Sequence, residues 1–339
     1  MISMLILLIA IALIFASVVF VFNKLQSKIF IPTGIEFLLL GVLIGKFFSN
    51  WFSSTFNIDY PIILSNAIQT DLKIILMILL GIVGFVYGLD FQFSSIRSCS
   101  KDSYLYVLVE FLLSFFITGG LTFILLFNFL YDGENFSEIL TFAYLTGIIG
   151  VMSSKFIINK ISDKFNISGS HIFHIKQSVF LNLNLSIALY GLVYGIAQIS
   201  SLNHINIISY KWVFIGIGLI ILLGILFYLF IGNNKEETKL LIAVVGMISL
   251  TTGISISLNF SVLYMNFLLG VIIINTSKVG LTLRQALAKS ANVLSFLIFF
   301  FAGYYWIPSA MNSFFIGAIL FLSLRFVVKI FSGKVFNII

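Results

Sequence analysis

The chain has 339 residues, of which 60% are hydrophobic and only 9% charged. That is more apolar sequence than a water-soluble core takes, so a soluble enzyme or a nucleic-acid binder is excluded, and the net charge of +7 must be read from the loops that carry it. The single cysteine, Cys99, excludes a disulfide framework and argues against thiolate metal ligation.

Apolar runs of spanning length recur along the whole chain. They predict about eleven transmembrane helices, at 3–22, 30–49, 72–94, 104–130, 138–160, 176–199, 212–232, 239–255, 257–275, 286–305 and 310–333. The first lacks a basic leader and a small-residue cleavage site, so it reads as a retained helix. Only a short Ser-rich turn separates the eighth from the ninth. Loops after odd-numbered spans hold Lys24, Lys28, Arg97, Lys101, Lys160, Lys164, Lys176, Lys235, Lys239, Lys278, Arg284, Lys289 and Lys334. The opposite side holds Lys46, Lys73 and Lys211. The positive-inside rule then puts the N-terminus outside and the C-terminus in the cytoplasm, in a membrane read as a prokaryotic cell (inner) membrane.

Polar residues inside these spans are costly and mark protein interiors or solute paths. In chain order they are Glu36, Glu110, Ser153-Ser154-Lys155, Asn182, Asn184 and Arg325. At 1.5 Å per residue, Asn184 and Arg325 lie about 12 Å from the cytoplasmic ends of their helices, Ser153 about 10 Å, and Glu36 and Glu110 about 9 Å. One shared layer predicts a polar cavity reached from the cytoplasm.

Each residue also has a structural reading. Asn182 and Asn184 can bond helix to helix, and Ser153 and Ser154 can bond back to their own backbone. Lys155 can snorkel to the surface or compensate helix-end dipoles. Glu36 and Glu110 can form interhelical ion pairs or relay protons, and Arg325 can hold helix C-terminal carbonyls or a carboxylate. His171 and His174 fall in the loop before the sixth span, and read as solvated or as a pH sensor. Asn166-Ile167-Ser168 fits a glycosylation sequon on the wrong side for use. No metal cluster, phosphate loop or nucleophile–base pair stands out, so neither a cofactor nor an enzyme activity is expected.

Several stretches resemble, in order, the motifs of the cation:proton antiporters of the sodium/proton exchanger superfamily, the potassium-efflux-like branch in particular. They are Pro32-Thr33-Gly34-Ile35-Glu36 with Gly41 and Gly45; Gly81 to Asp90; Gly147 to Lys155; Ser178 to Ile187; Asn266-Phe267-Leu268-Leu269-Gly270; Ile298 to Gly303; and Arg325. The resemblance implies an all-α inverted-repeat fold in which a core domain (104–199 and 310–333 here) moves against a panel domain (3–94 and 239–305). It implies broken helices crossing near the midplane and an aspartate that binds cation and proton alternately. It also implies membrane lipid, a monovalent cation (Na or K) and protons as partners, exchanged by alternating access, and a homodimer.

Two departures stand against it. The family's aspartate corresponds to Asn184, an amide that does not titrate, and Lys155 replaces a threonine. The chain also ends before the family's last two helices, so only one broken helix is expected, and the chain reads as a fragment, as completed by a partner, or as degenerate. The ion path is then read through Ser153, Ser154 and Asn184, with Glu110 or Glu36 as proton relay and Lys155 and Arg325 compensating charge. The alternatives are a transport-inactive membrane scaffold or regulatory subunit, and a carrier of a non-cationic solute.

Overall fold

A computed structural model of the chain describes residues 34–56, 66–130, 136–154, 158–159, 161–162, 165–201, 209–231, 236–306 and 311–336. The described regular structure is helical throughout: α1 Ile35–Ile44, α2 Lys46–Phe56, α3 Asn66–Asp90, α4 Phe93–Arg97, α5 Lys101–Leu130, α6 Phe136–Val151, α7 Ser170–Ser201, α8 Ser209–Ile231, α9 Glu237–Ser257, α10 Val262–Thr276, α11 Gly280–Tyr304 and α12 Met311–Phe336. Four of the described stretches are long and apolar enough to cross a membrane, Lys73–Asp90, Lys101–Asn128, Ile172–Gly195 and Thr238–Ser257. Shorter apolar helices accompany them, and the chain is an integral membrane protein.

The predicted span 3–22 and Lys155 lie outside the described residues. The span predicted at 30–49 is two helices, because Gly45 takes an extended ψ of 166° between α1 and α2. The spans predicted at 239–255 and 257–275 are separate, as α9 and α10. The turn between them carries Asn259 at φ 54°.

The chain divides into two compact units, residues 1–83 with 286–311, and residues 84–285 with 312–339. In the first, α1 packs on the second half of α11. A Cβ added at Gly41 would meet the Phe300 carbonyl, and one at Gly303 the Leu38 carbonyl, so glycine on both helices lets the backbones touch. Leu40, Ile44 and Tyr304 form the buried cluster at this contact, and Phe37 stacks on Phe296 at 5.0 Å.

In the second unit α5 and α6 form an extensive pair, α7 packs on both, and α10 packs on α7, α8 and α9. The α5–α6 approach is again carried by small residues: a Cβ at Gly119 would lie 2.9 Å from the Ala143 carbonyl, and one at Gly150 would collide with Thr118. The end of α3 meets α10 in the same way through Gly88 and Gly270. A polar clamp ties that end down. Arg284 Nε donates to Asp90 Oδ1 at 2.7 Å, Asn275 Nδ2 donates to the Phe91 carbonyl at 2.9 Å, and Asn275 Oδ1 accepts from the Phe93 N–H at 2.8 Å.

Candidate functional site

α6 stops early for a membrane helix. It ends at Val151, and Met152, Ser153 and Ser154 are non-helical. The Ile158 N–H then bonds to the Ser154 carbonyl at 3.2 Å, and helical residues resume at 158. This is a broken helix. A helix end inside a membrane presents carbonyls without intrahelical partners and the negative pole of the helix dipole, both of which call for cations.

α12 supplies two. Arg325 and Lys329 are four residues apart and share one face. Arg325 donates to the Met152 carbonyl. Lys329 donates to the Val151 carbonyl at 2.9 Å, to the Ser153 hydroxyl at 3.1 Å and to Glu110 Oε1 on α5. The three hydrogens of the ammonium thus have three partners. Glu110 is 4% exposed, and its second oxygen accepts from Asn182 Nδ2 on α7 at 2.8 Å. Four helices meet here: a carboxylate from α5, the unwound end of α6, an amide from α7 and two cations from α12.

The structure brings together four of the residues singled out in the sequence, Glu110, Ser153, Asn182 and Arg325. Ser154 follows Ser153 in the unwound segment and faces outward. Asn184 does not join them. It is 2% exposed, but its Nδ2 donates to the Phe180 carbonyl of its own helix at 2.7 Å, while its Oδ1 has no partner among the described residues. Glu36 belongs to the other compact unit, where its Oε2 accepts from the Gly34 N–H at 3.0 Å at the start of α1. Gly34 there has φ 113°, a conformation that favours glycine. The single layer expected from depth alone therefore resolves into a four-helix cluster and a separate helix cap.

Lys329 is the residue the sequence reading passed over. It lies four residues from the predicted cytoplasmic end, within reach of the surface for a side chain that can snorkel. Its spacing from Arg325 was the available signal, because two cations on one face of an apolar helix need a shared counter-charge. Asn182, read as helix glue, does join α7 to α5, and it does so on the carboxylate itself.

His174 is not in a solvated loop. The helix begins at Ser170, just after Gly169 at φ 130°, and takes His174 with it. His174 Nδ1 lies 2.7 Å from the hydroxyl of buried Ser103, which donates to Gln177 Oε1 at 2.5 Å. Among the described residues no three His, Cys, Asp or Glu side chains cluster to hold a metal.

No protein-family model matches the sequence, and no curated protein matches it. Among solved structures, the chain is similar to the sodium proton antiporter MjNhaP1 from Methanocaldococcus jannaschii, with a TM-score of 0.61 and 15% sequence identity, over 98% of this chain and 79% of that one. The chain has an antiporter fold. The likeness supports the cation:proton antiporter fold in general and not the potassium-efflux-like branch within it.

Proposed function

We propose that the chain exchanges a monovalent cation for protons by alternating access, with Glu110 as the exchanging carboxylate. The observation that carries this reading is the Glu110–Lys329 ion pair, held beside the broken end of α6. A carboxylate can accept a proton or a cation but not both at full strength, and Lys329 holds its place while neither is bound. A cation or proton arriving at Glu110 releases the lysine, whose remaining contacts, the Val151 carbonyl and Ser153 hydroxyl, keep it at the helix end. Asn182 holds the other carboxylate oxygen, so Glu110 stays aimed into the cluster. Arg325 neutralises the α6 end throughout. The antiporter fold of the solved neighbour supports the same reading, which sets the protein in the lipid of a prokaryotic cell with its N-terminus outside and its C-terminus in the cytoplasm, and takes a homodimer as the working assembly.

A second reading is a transport-inactive scaffold or regulatory subunit. Asn184 favours it, since the residue aligned with the family's aspartate carries no charge and is tied to its own helix. Proteoliposomes loaded with a pH-sensitive dye separate the two. Proton flux evoked by Na⁺ or K⁺, and abolished by Glu110→Gln, is expected of the antiporter. Absence of flux with any monovalent cation in correctly folded protein supports the scaffold.

A further inference from the structure

Buried hydroxyls in these helices are mostly tied to their own backbone. Thr118 donates to the Ser114 carbonyl at 2.5 Å, Ser178 to Ile175 at 2.9 Å, and Ser255 to Thr251 at 2.7 Å. Ser114 and Ser186 are exceptions. Ser114 is 1% exposed and Ser186 fully buried, and neither hydroxyl has a partner among the described residues. The same is true of Asn182 Oδ1, the half of that amide turned away from Glu110.

Register sets the residues that carry these three oxygens along one seam. α5 and α7 run parallel, since Ser103 meets Gln177 and Glu110 meets Asn182, at chain separations of 74 and 72 residues. Ser114 follows Glu110 by four residues, and Ser186 follows Asn182 by four. Each therefore stands one turn further along the same seam. A buried oxygen without a hydrogen bond is costly, and here three belong to residues on the seam that Glu110 occupies.

The occupant follows from the donor set. Asn182 Oδ1 only accepts, whereas serine hydroxyls donate and accept. A guest must therefore give hydrogens as well as receive them. A metal cation cannot receive a hydroxyl hydrogen, so it would leave both serine donors unmet. We propose that Ser114, Ser186 and Asn182 hold one internal water molecule between α5 and α7, one turn beyond Glu110. By occupying the amide oxygen, this water fixes the Asn182 carboxamide with its NH₂ toward Glu110. Ser114 and Ser186 become positioning residues for the carboxylate, a consequence that rests on the antiport reading, whereas the water site itself does not.

The test is an experimental structure of the whole protein in lipid nanodiscs, at a resolution that shows ordered water, in sodium buffer and in sodium-free choline buffer. A peak at about 2.7–3.0 Å from all three oxygens in both buffers is expected, lost in Ser114→Ala/Ser186→Ala. A peak in sodium alone, at shorter distances, makes this a cation site and overturns the water. No peak in either buffer overturns the site. In proteoliposomes, the double alanine variant should shift the pH profile of flux, and Ser114→Thr should leave it in place. An equal loss at every pH would reduce the serines to packing. Absence of flux in the unaltered protein counts against antiport and leaves the density result standing.

Discussion

Lys329 and Glu110, 219 residues apart in the chain, form an ion pair against the open end of α6. The side chain of Glu110 is 5% exposed and that of Lys329 22%. Removing one partner of such a pair strands the other charge, at a cost of about 3–5 kcal/mol, whereas replacing both by neutral groups of similar size is often close to neutral. Lys329→Met should therefore lower the thermal midpoint in detergent strongly, and Glu110→Gln/Lys329→Met should recover most of the loss. Arg325→Met, which removes a donor to one carbonyl, should cost less than Lys329→Met, about 1.5–3 kcal/mol. Intrinsic tryptophan fluorescence during heating gives the ranking. Equal midpoints for Lys329→Met and the double variant would show that removing Lys329 strands no charge at Glu110.

The approach of α3 to α10 sets a second expectation. A Cβ on Gly88 would meet the Phe267 carbonyl, and one on Gly270 the Phe85 carbonyl. Neither backbone atom can rotate away, so Gly88→Ala or Gly270→Ala should push the helices apart and cost about 1–3 kcal/mol. Gly120, on α5, has no neighbour within 4 Å of an added Cβ. Gly120→Ala should be neutral or stabilise by up to about 1 kcal/mol, as helix propensity favours alanine. Melting temperatures of the three variants in the same detergent check the contrast.

Fold class and most helix positions were legible because lipid forces them: long apolar runs can cross only as helices, and lysine sorts to one side. The break after Val151 was not read from the residues: the apolar run predicted one span over 138–160, and only the family resemblance implied a broken helix, at no stated position. Partner choice was not legible either. Depth along a helix axis is nearly all that one sequence gives for a buried polar residue. It placed Glu36, Glu110, Ser153, Asn184 and Arg325 in one layer but gave no angle around the helices. The angle decides that Asn182 meets Glu110 while Asn184, two residues on, bonds to Phe180. Glu36 shared the depth but belongs to another unit, where it caps α1. Lys329 lay too near a helix end for depth to distinguish a ligand of Glu110 from a surface lysine.

Cys99 offers a check on orientation and on its own chemistry. It lies between α4 and α5, in a loop read as cytoplasmic, and its Sγ donates to the Ser95 carbonyl at 3.5 Å. Burial pushes its thiol up from the ordinary value. A raised value means less thiolate at any given pH below it, so maleimide labelling should be slow at neutral pH and climb as pH rises, later than for a free thiol. A membrane-impermeant maleimide should reach Cys99 in inside-out vesicles and not in right-side-out ones. Labelling of right-side-out vesicles alone would invert the topology.

Asn184→Asp tests where the exchanging carboxylate resides. The Asn184 amide donates to the Phe180 carbonyl at 2.7 Å, within a site only 2% exposed. An ionised aspartate there has no hydrogen to give and would set an oxygen against a carbonyl oxygen without a counter-charge. The variant should therefore be destabilised at neutral pH by at least about 1–3 kcal/mol, the cost of an unmet buried hydrogen bond. At acid pH the protonated carboxyl can donate to Phe180 in place of the amide, so the loss should shrink as pH falls. Cation-evoked flux should stay dependent on Glu110, with Glu110→Gln abolishing it in the Asn184→Asp background as in the native sequence. Flux that survives Glu110→Gln once an aspartate stands at 184 would place the exchange on α7 and assign Glu110 to holding Lys329 alone.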